Sequence, residues 1–67
     1  MDIPVQVNQR PLSLPGGATV ADALAAFGAQ PPYAVAVNGD FVPRAQYATR
    51  PLRAGDQLDV VNPVAGG

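Results

Sequence analysis

The stretch TVADALAAFG, residues 19–28, decides the fold, because it predicts one short helix with a single apolar face. Thr19 occupies the position of a helix N-cap, Asp22 lies in the first turn, and Gly28 is suited to the C-terminal cap. Four apolar residues follow the i, i+3, i+4, i+7 spacing of one helix face: Val20, Ala23, Leu24 and Phe27. The sequence therefore predicts a helix from about residue 20 to residue 27 that must cover a sheet.

Two strands are predicted before this helix. Apolar side chains alternate with polar residues or proline in both of them, at Ile3, Val5 and Val7 and then at Leu12 and Leu14. Asn8 and Gln9 between them are typical of a tight turn, which predicts an antiparallel pair. Pro4 cannot donate a hydrogen bond to a neighbouring strand. It must lie at the start of the strand, at a bulge, or where its missing N–H faces no partner.

Three more strands are predicted after the helix, at residues 33–37, 41–42 and 57–61. The first two of them are joined by Asn38-Gly39, the dipeptide most favoured in two-residue hairpins. Pro43 ends the short returning strand. Residues 44–48 predict a single helical turn that seats Tyr47 against the core.

The resulting order is strand, strand, helix, strand, short strand, strand. The crossover from the second strand through the helix to the third is long enough for a connection that is not a hairpin. A ferredoxin-like sandwich would need a second helix near residues 44–53, where Pro43 and Pro51 leave little room. The sequence therefore predicts an α+β fold of the β-grasp, or ubiquitin-like, class. We expect one domain over residues 1–67, with a mixed four- to five-stranded sheet packed on one main helix.

The composition excludes most catalytic chemistry. The 67 residues include no cysteine and no histidine. This removes disulfides, Cys or His metal sites, Cys or His nucleophiles, a Ser-His-Asp triad and a histidine general base. The net charge is −1 and four arginines are scattered among five aspartates, so no basic face for nucleic acid is predicted. No run approaches the ~20 apolar residues of a membrane helix. We expect a cytoplasmic monomer that is not an enzyme and that binds no metal, nucleic acid or membrane.

The last residues carry the predicted chemistry. Gly66 and Gly67 place a terminal carboxylate on two residues without side chains, in a tail expected to be flexible from about residue 63. Such a thin tail can enter a narrow enzyme tunnel. The carboxylate is an anion at neutral pH, so it must be activated before an oxygen can be displaced. Adenylation with ATP would provide that activation.

Several stretches carry a family resemblance: TVADAL at 19–24, AVAVN at 34–38, FVPR at 41–44, QY at 46–47, AGDQL at 54–58 and VAGG at 64–67. Together they cover most of the chain, which resembles the ThiS sulfur carriers of thiamine biosynthesis. The resemblance implies that a ThiF-type adenylating enzyme, related to ubiquitin-activating enzymes, uses ATP to adenylate the Gly67 carboxylate. It also implies that a persulfide enzyme donates the sulfur of a thiocarboxylate, which thiazole synthase then uses. The carrier itself binds no cofactor in this scheme.

Contacts with partner enzymes are expected at Val64 and Ala65 in the tail and at Phe41, Val42 and Arg44. Phe41 and Val42 are a candidate exposed docking patch on an edge strand, and Arg44 is a candidate to pair with an acidic partner surface. Three alternatives stay open at this point. One is a carrier of the same fold that serves molybdopterin or another sulfur-requiring pathway. Another is a regulatory or RNA-binding β-grasp module of the TGS type, which the helix also resembles. The third is a ubiquitin-style protein modifier.

Overall fold

Residues 1–61 are described by a computed structural model. In chain order they form β1 (Asp2–Val7), β2 (Arg10–Pro15), α1 (Val20–Phe27), β3 (Ala34–Val37), β4 (Asp40–Val42), a 3₁₀ turn (Arg44–Gln46) and β5 (Gln57–Val61). The predicted bounds of the helix and of the last strand agree with the structure. The third strand begins one residue later than predicted, because Tyr33 precedes the first pairing of β3 with β5. The predicted helical turn is present but covers only three residues.

The five strands form one mixed sheet in the order β2-β1-β5-β3-β4. β1 and β5 are parallel, whereas the other neighbouring pairs are antiparallel. A parallel pair cannot be joined by a tight turn, so the chain needs the long crossover that contains α1. This arrangement of one helix on a mixed sheet is the β-grasp architecture, and the predicted fold class is confirmed.

An aliphatic core lies between α1 and one face of the sheet. Its buried members are Val5, Val7, Leu14, Ala18, Val20, Ala23, Leu24, Val35, Val37, Val42, Leu52 and Leu58. Within residues 1–61 no polar or charged side chain is buried. Leu58 of the predicted last strand is buried, whereas Phe27 and Tyr47 are only partly buried at the margin of the core. The α1 residues of the predicted apolar stripe therefore face the sheet.

Both ends of α1 are capped as the sequence predicts. The Asp22 N–H donates to the Thr19 hydroxyl at 3.4 Å, and the Thr19 N–H donates to the Asp22 carboxylate at 2.9 Å. This reciprocal capping box satisfies two N–H groups that have no partner within the helix. Gly28 has a φ of 81° and its N–H donates to the carbonyls of Leu24 and Ala25. A left-handed residue at this position costs least when it is glycine.

Pro4 lies inside β1 without disturbing the sheet. Its carbonyl accepts a hydrogen bond from the Gly55 N–H at 2.7 Å, and the Gln6 N–H donates to the Asp56 carbonyl at 3.0 Å. The backbone polar groups of Pro4 and Gln6 therefore point toward β5 and not toward β2. Because β5 begins only at Gln57, the nitrogen of Pro4 lies beside a turn, and no ladder hydrogen bond is lost. Of the three predicted solutions, the third is the one observed.

The longest helix in the described part of the chain has eight residues. None of the helices in residues 1–61 is long and apolar enough to cross a membrane.

Candidate functional site

The candidate site is the end of the sheet where β5 finishes. Val61 is the last described residue, and it pairs with Ala34 of β3. The predicted reactive residues Gly66 and Gly67 lie beyond it, outside the described residues. The predicted tail contacts Val64 and Ala65 lie there as well, as does the predicted flexible segment. The structure therefore describes the end of the sheet that precedes these residues in the chain.

β5 is held on both sides where it approaches this end. Toward β3, the antiparallel register runs through four pairs and ends at Ala34 and Val61. Toward β1, the parallel register is short and pairs Gln6 with Gln57 and Val7 with Leu58. β1 stops at that point, so the last residues of β5 need a different partner on this side.

Asn8 supplies that partner. Its Oδ1 accepts a hydrogen bond from the Val60 N–H at 2.8 Å, and its Nδ2 donates to the Val60 carbonyl at 3.1 Å. Its backbone N–H also donates to the Leu58 carbonyl at 2.9 Å. These bonds continue the pairing of β5 beyond the end of β1. One turn residue thus holds the last part of β5 in place on the side that β1 does not reach.

Asn8→Gly is expected to lower the free energy of unfolding by about 1–3 kcal/mol, because two hydrogen bonds worth roughly 0.5–1.5 kcal/mol each are lost. Asn8 has a φ of 53°, which glycine adopts without strain, so the variant isolates the role of the side chain. Chemical denaturation provides the measurement. Gln9→Gly, at the neighbouring turn position with a φ of 69°, is the matched control. Equal losses in both variants would contradict the proposed anchor.

The predicted docking patch on β4 needs a correction. The Val42 side chain is fully buried, because strand alternation turns it toward α1, so it presents no surface to a partner. Phe41 points to the opposite face and is 68% exposed. It pairs with Ala36 of β3, and Val61, which is 59% exposed, lies on the same face of β5. Phe41, Ala36, Ala34 and Val61 form what we call the open-face patch.

Arg44 lines a shallow cleft of about 520 Å³. Pro31, Pro32, Tyr33 and Tyr47 form the rest of its lining. The two tyrosine rings pack with their centroids 5.9 Å apart and their planes tilted by 30°. Sequence patterns do not indicate this cleft, because its parts come from the segment before β3 and from the segment around the 3₁₀ turn, which are distant along the chain. We call it the tyrosine cleft.

Burial raises the pKa of the Tyr47 phenol above its ordinary value of 10.0. The neighbouring Tyr33 also raises this pKa, and the Arg44 guanidinium lowers it. Tyr47 therefore keeps its proton to a higher pH in the folded protein than in the unfolded chain. The phenol is neutral at physiological pH, so the cleft presents aromatic walls and one cation.

Tyr47→Phe is expected to make the free energy of unfolding less dependent on pH in the alkaline range. The raised pKa of Tyr47 gives a stabilisation that is complete below about pH 10 and is lost as the pH rises through the folded-state pKa. The phenylalanine side chain does not titrate, so the part of the alkaline loss of stability that is due to Tyr47 disappears. Denaturant titrations of both proteins across that pH range provide the measurement. The same slope in the variant and the parent would contradict the assignment.

Comparison with known proteins places the chain in a family. The sequence profile of the ThiS family matches residues 5–67, a match that includes Gly66 and Gly67. No match was found among curated proteins. The crystal structure of a thiamine biosynthesis protein (ThiS) from Geobacter metallireducens is similar, with a TM-score of 0.80 and 20% sequence identity, over 97% of this chain and 100% of that one. The structural likeness supports the fold, and the profile match shows that the chain belongs to the ThiS family.

Proposed function

We propose that this chain is a sulfur carrier that supplies the sulfur of the thiazole ring of thiamine. The observation that carries the proposal is the ThiS family match, which runs to Gly67 and so includes the glycine pair. The fold adds support, because β5 ends at Val61 and is followed directly in the sequence by residues 62–67. A ThiS protein of thiamine biosynthesis from Geobacter metallireducens has the same fold.

The proposed chemistry takes place at the Gly67 carboxylate. An oxygen of that carboxylate attacks the α-phosphate of ATP, which releases pyrophosphate and leaves an acyl adenylate on Gly67. The outer sulfur of an enzyme persulfide then attacks the adenylate and releases AMP, which leaves an acyl disulfide between the carrier and the enzyme. A thiol reduces this S–S bond, so that the carrier is released with a terminal thiocarboxylate and the two thiols end as a disulfide. Thiazole synthase transfers the sulfur to its substrate, and an oxygen atom from the substrate or from water restores the carboxylate. The chain lacks cysteine and histidine, so in this scheme partner enzymes catalyse every step and hold the ATP.

Gly66 and Gly67 suit this role because they have no side chains. The acyl group must reach a catalytic centre inside the adenylating enzyme, and a chain without Cβ atoms fits the narrowest passage and accepts almost any backbone conformation. Val64 and Ala65 are proposed contacts with the wall of that passage.

The open-face patch is the proposed docking surface for the body of the carrier. Phe41 is 68% exposed and Val61 is 59% exposed, and they flank the small side chains of Ala34 and Ala36. Val61 directly precedes residue 62 in the chain, so an enzyme that binds residues 62–67 lies close to the open-face patch. Aromatic side chains are frequent among the residues that dominate binding energy at interfaces.

The proposed function is tested by ATP–pyrophosphate exchange with a purified ThiF-type adenylating enzyme. We expect exchange that depends on the carrier, because adenylation of Gly67 is reversible and returns labelled ATP. Phe41→Asp is expected to raise the KM for the carrier, since an acidic side chain replaces the largest apolar group of the patch. If the enzyme catalyses exchange with an established carrier but not with this one, the proposed function is wrong.

A further inference from the structure

We propose that the tyrosine cleft is a docking site for an extended segment of the adenylating enzyme that presents a carboxylate beside an apolar side chain. The proposal rests on the proposed function and adds a recognition site to it. The two tyrosines of the cleft pack against the core, whereas Phe41 and Val61 of the open-face patch are exposed on the other face of the sheet. In this proposal the enzyme binds the carrier at two sites, the tyrosine cleft and the open-face patch.

The cleft is held in shape by the backbone. The Ala21 N–H of α1 donates to the Tyr47 carbonyl at 2.8 Å, and the Tyr47 N–H donates to the Arg44 carbonyl at 3.2 Å. The first bond gives a partner to an N–H group in the first turn of α1. Tyr33 packs against Tyr47 and also against the margin of the core. A site whose walls are fixed before binding loses little conformational entropy when it is occupied.

The lining of the cleft defines the chemistry of its occupant. Two proline rings and two tyrosine rings provide apolar walls, and the Arg44 guanidinium provides the charge. That guanidinium is on an exposed side chain, and the carboxylates for which residues 1–61 show hydrogen bonds, those of Asp22 and Asp56, accept from Thr19, Asn38 and the Arg53 backbone N–H instead. Guanidinium groups bind carboxylates through paired hydrogen bonds that a single ammonium cannot reproduce. An occupant with a carboxylate next to an apolar side chain matches both features.

The position of the cleft identifies the source of that occupant. Tyr33 directly precedes Ala34, and Ala34 pairs with Val61, where the described chain stops. Residues 62–67 can span at most about 20 Å when fully extended. An enzyme that holds Gly67 in its catalytic centre must therefore lie close to this end of the carrier. Tyrosine and arginine are also among the residues most often found at the centre of interfaces.

The first test is kinetic and uses charge reversal. We expect Arg44→Glu to raise the KM of the adenylating enzyme for the carrier by about tenfold or more, with an unchanged kcat. The kcat is expected to stay constant because the role proposed for Arg44 is to bind the enzyme and not to act on the reacting carboxylate. Arg53→Glu is the matched control, since it makes the same change in net charge at an exposed arginine in the turn before β5 begins. Its KM is expected to change by less than about twofold. Circular dichroism confirms that both variants fold.

The second test observes the cleft directly. The chain has two tyrosines and no tryptophan, and both tyrosines line the cleft. Carrier labelled with fluorotyrosine therefore gives two fluorine NMR signals that report only on this site. We expect both signals to shift when unlabelled adenylating enzyme is added, and we expect Arg44→Glu to weaken that response.

The outcomes separate the possible occupants. Equal KM changes in the two arginine variants, or fluorine signals that do not respond to the enzyme, would overturn the proposal. Signals that shift on removal of residues 62–67 without enzyme would assign the cleft to the chain's own tail instead. Signals that depend on carrier concentration would assign it to a second copy. If the parent carrier is not adenylated at all, the proposed function fails first, and the docking site fails with it.

Discussion

Deletion of Gly67 is expected to abolish ATP-dependent adenylation while leaving the free energy of unfolding unchanged. In the proposed reaction a tail of fixed length carries the terminal carboxylate to the catalytic centre of the adenylating enzyme. The deletion shortens this tail by one residue, so the carboxylate no longer reaches the same position. Reactive groups that are displaced by about 1 Å already lose roughly two orders of magnitude in rate. One residue of extended chain is about 3.3–3.6 Å long. Pyrophosphate exchange measures the loss.

Gly67→Ala is the control for this deletion. This variant keeps the same number of residues between β5 and the terminal carboxylate and adds a single methyl group. Its activity therefore tests how much room the enzyme leaves around residue 67, whereas the deletion tests the length of the tail. We expect reduced but measurable exchange from Gly67→Ala and none from the deletion. The deletion removes none of the core residues found within residues 1–61, so we expect circular dichroism of the deletion to match the parent. Exchange by the deletion at the parental rate would contradict the assignment of Gly67.

Leu58→Ala is expected to cost about 2–5 kcal/mol of stability, because it removes a large side chain from a close-packed site and leaves a cavity. Leu58 is 1% exposed and sits in β5, between β1 and β3. A domain of this size has a total stability of only about 3–10 kcal/mol. The variant is therefore expected to be largely unfolded at moderate temperature, and thermal or chemical denaturation would show it.

Val61→Ala is the comparison for Leu58→Ala within the same strand. Val61 is 59% exposed on the open face, so its truncation is expected to change stability by about 0.5 kcal/mol or less. The loss of adenylation in Leu58→Ala would follow from unfolding, whereas any loss in Val61→Ala would follow from weaker docking. Equal stability losses in the two variants would contradict the assignment of the two faces of β5.

The elements that the sequence predicts well are those specified by neighbouring residues. The capped helix over 20–27 depends on Thr19, Asp22 and Gly28, and the hairpin at Asn38-Gly39 depends on two residues that accept positive φ. Such signals act over one turn of chain, so alternation and capping rules identify them. The order of these elements was then sufficient to predict the β-grasp fold, because few topologies accommodate one crossover helix between two hairpins.

The features that the sequence did not reveal depend on contacts between distant residues. Asn8 and Val60 are 52 positions apart, and no local pattern links them. Leu52 is buried at 5% exposure in an irregular segment, where neither strand nor helix periodicity applies. The exposure of Val42 was wrongly predicted because a two-residue window does not show which side of a short strand faces the helix. Tyr33 and Tyr47 likewise meet only in the folded chain.

The central claim is that Gly67 carries sulfur, and mass spectrometry of the C-terminal peptide tests it most directly. Purified carrier is incubated with ATP, a ThiF-type adenylating enzyme and a sulfide source, and the terminal peptide is then sequenced. The peptide is needed because exchange of one oxygen for sulfur changes the intact mass almost as much as oxidation of Met1. We predict a thiocarboxylate on Gly67. An unmodified carboxylate, with the same enzyme active on an established carrier, would contradict the claim.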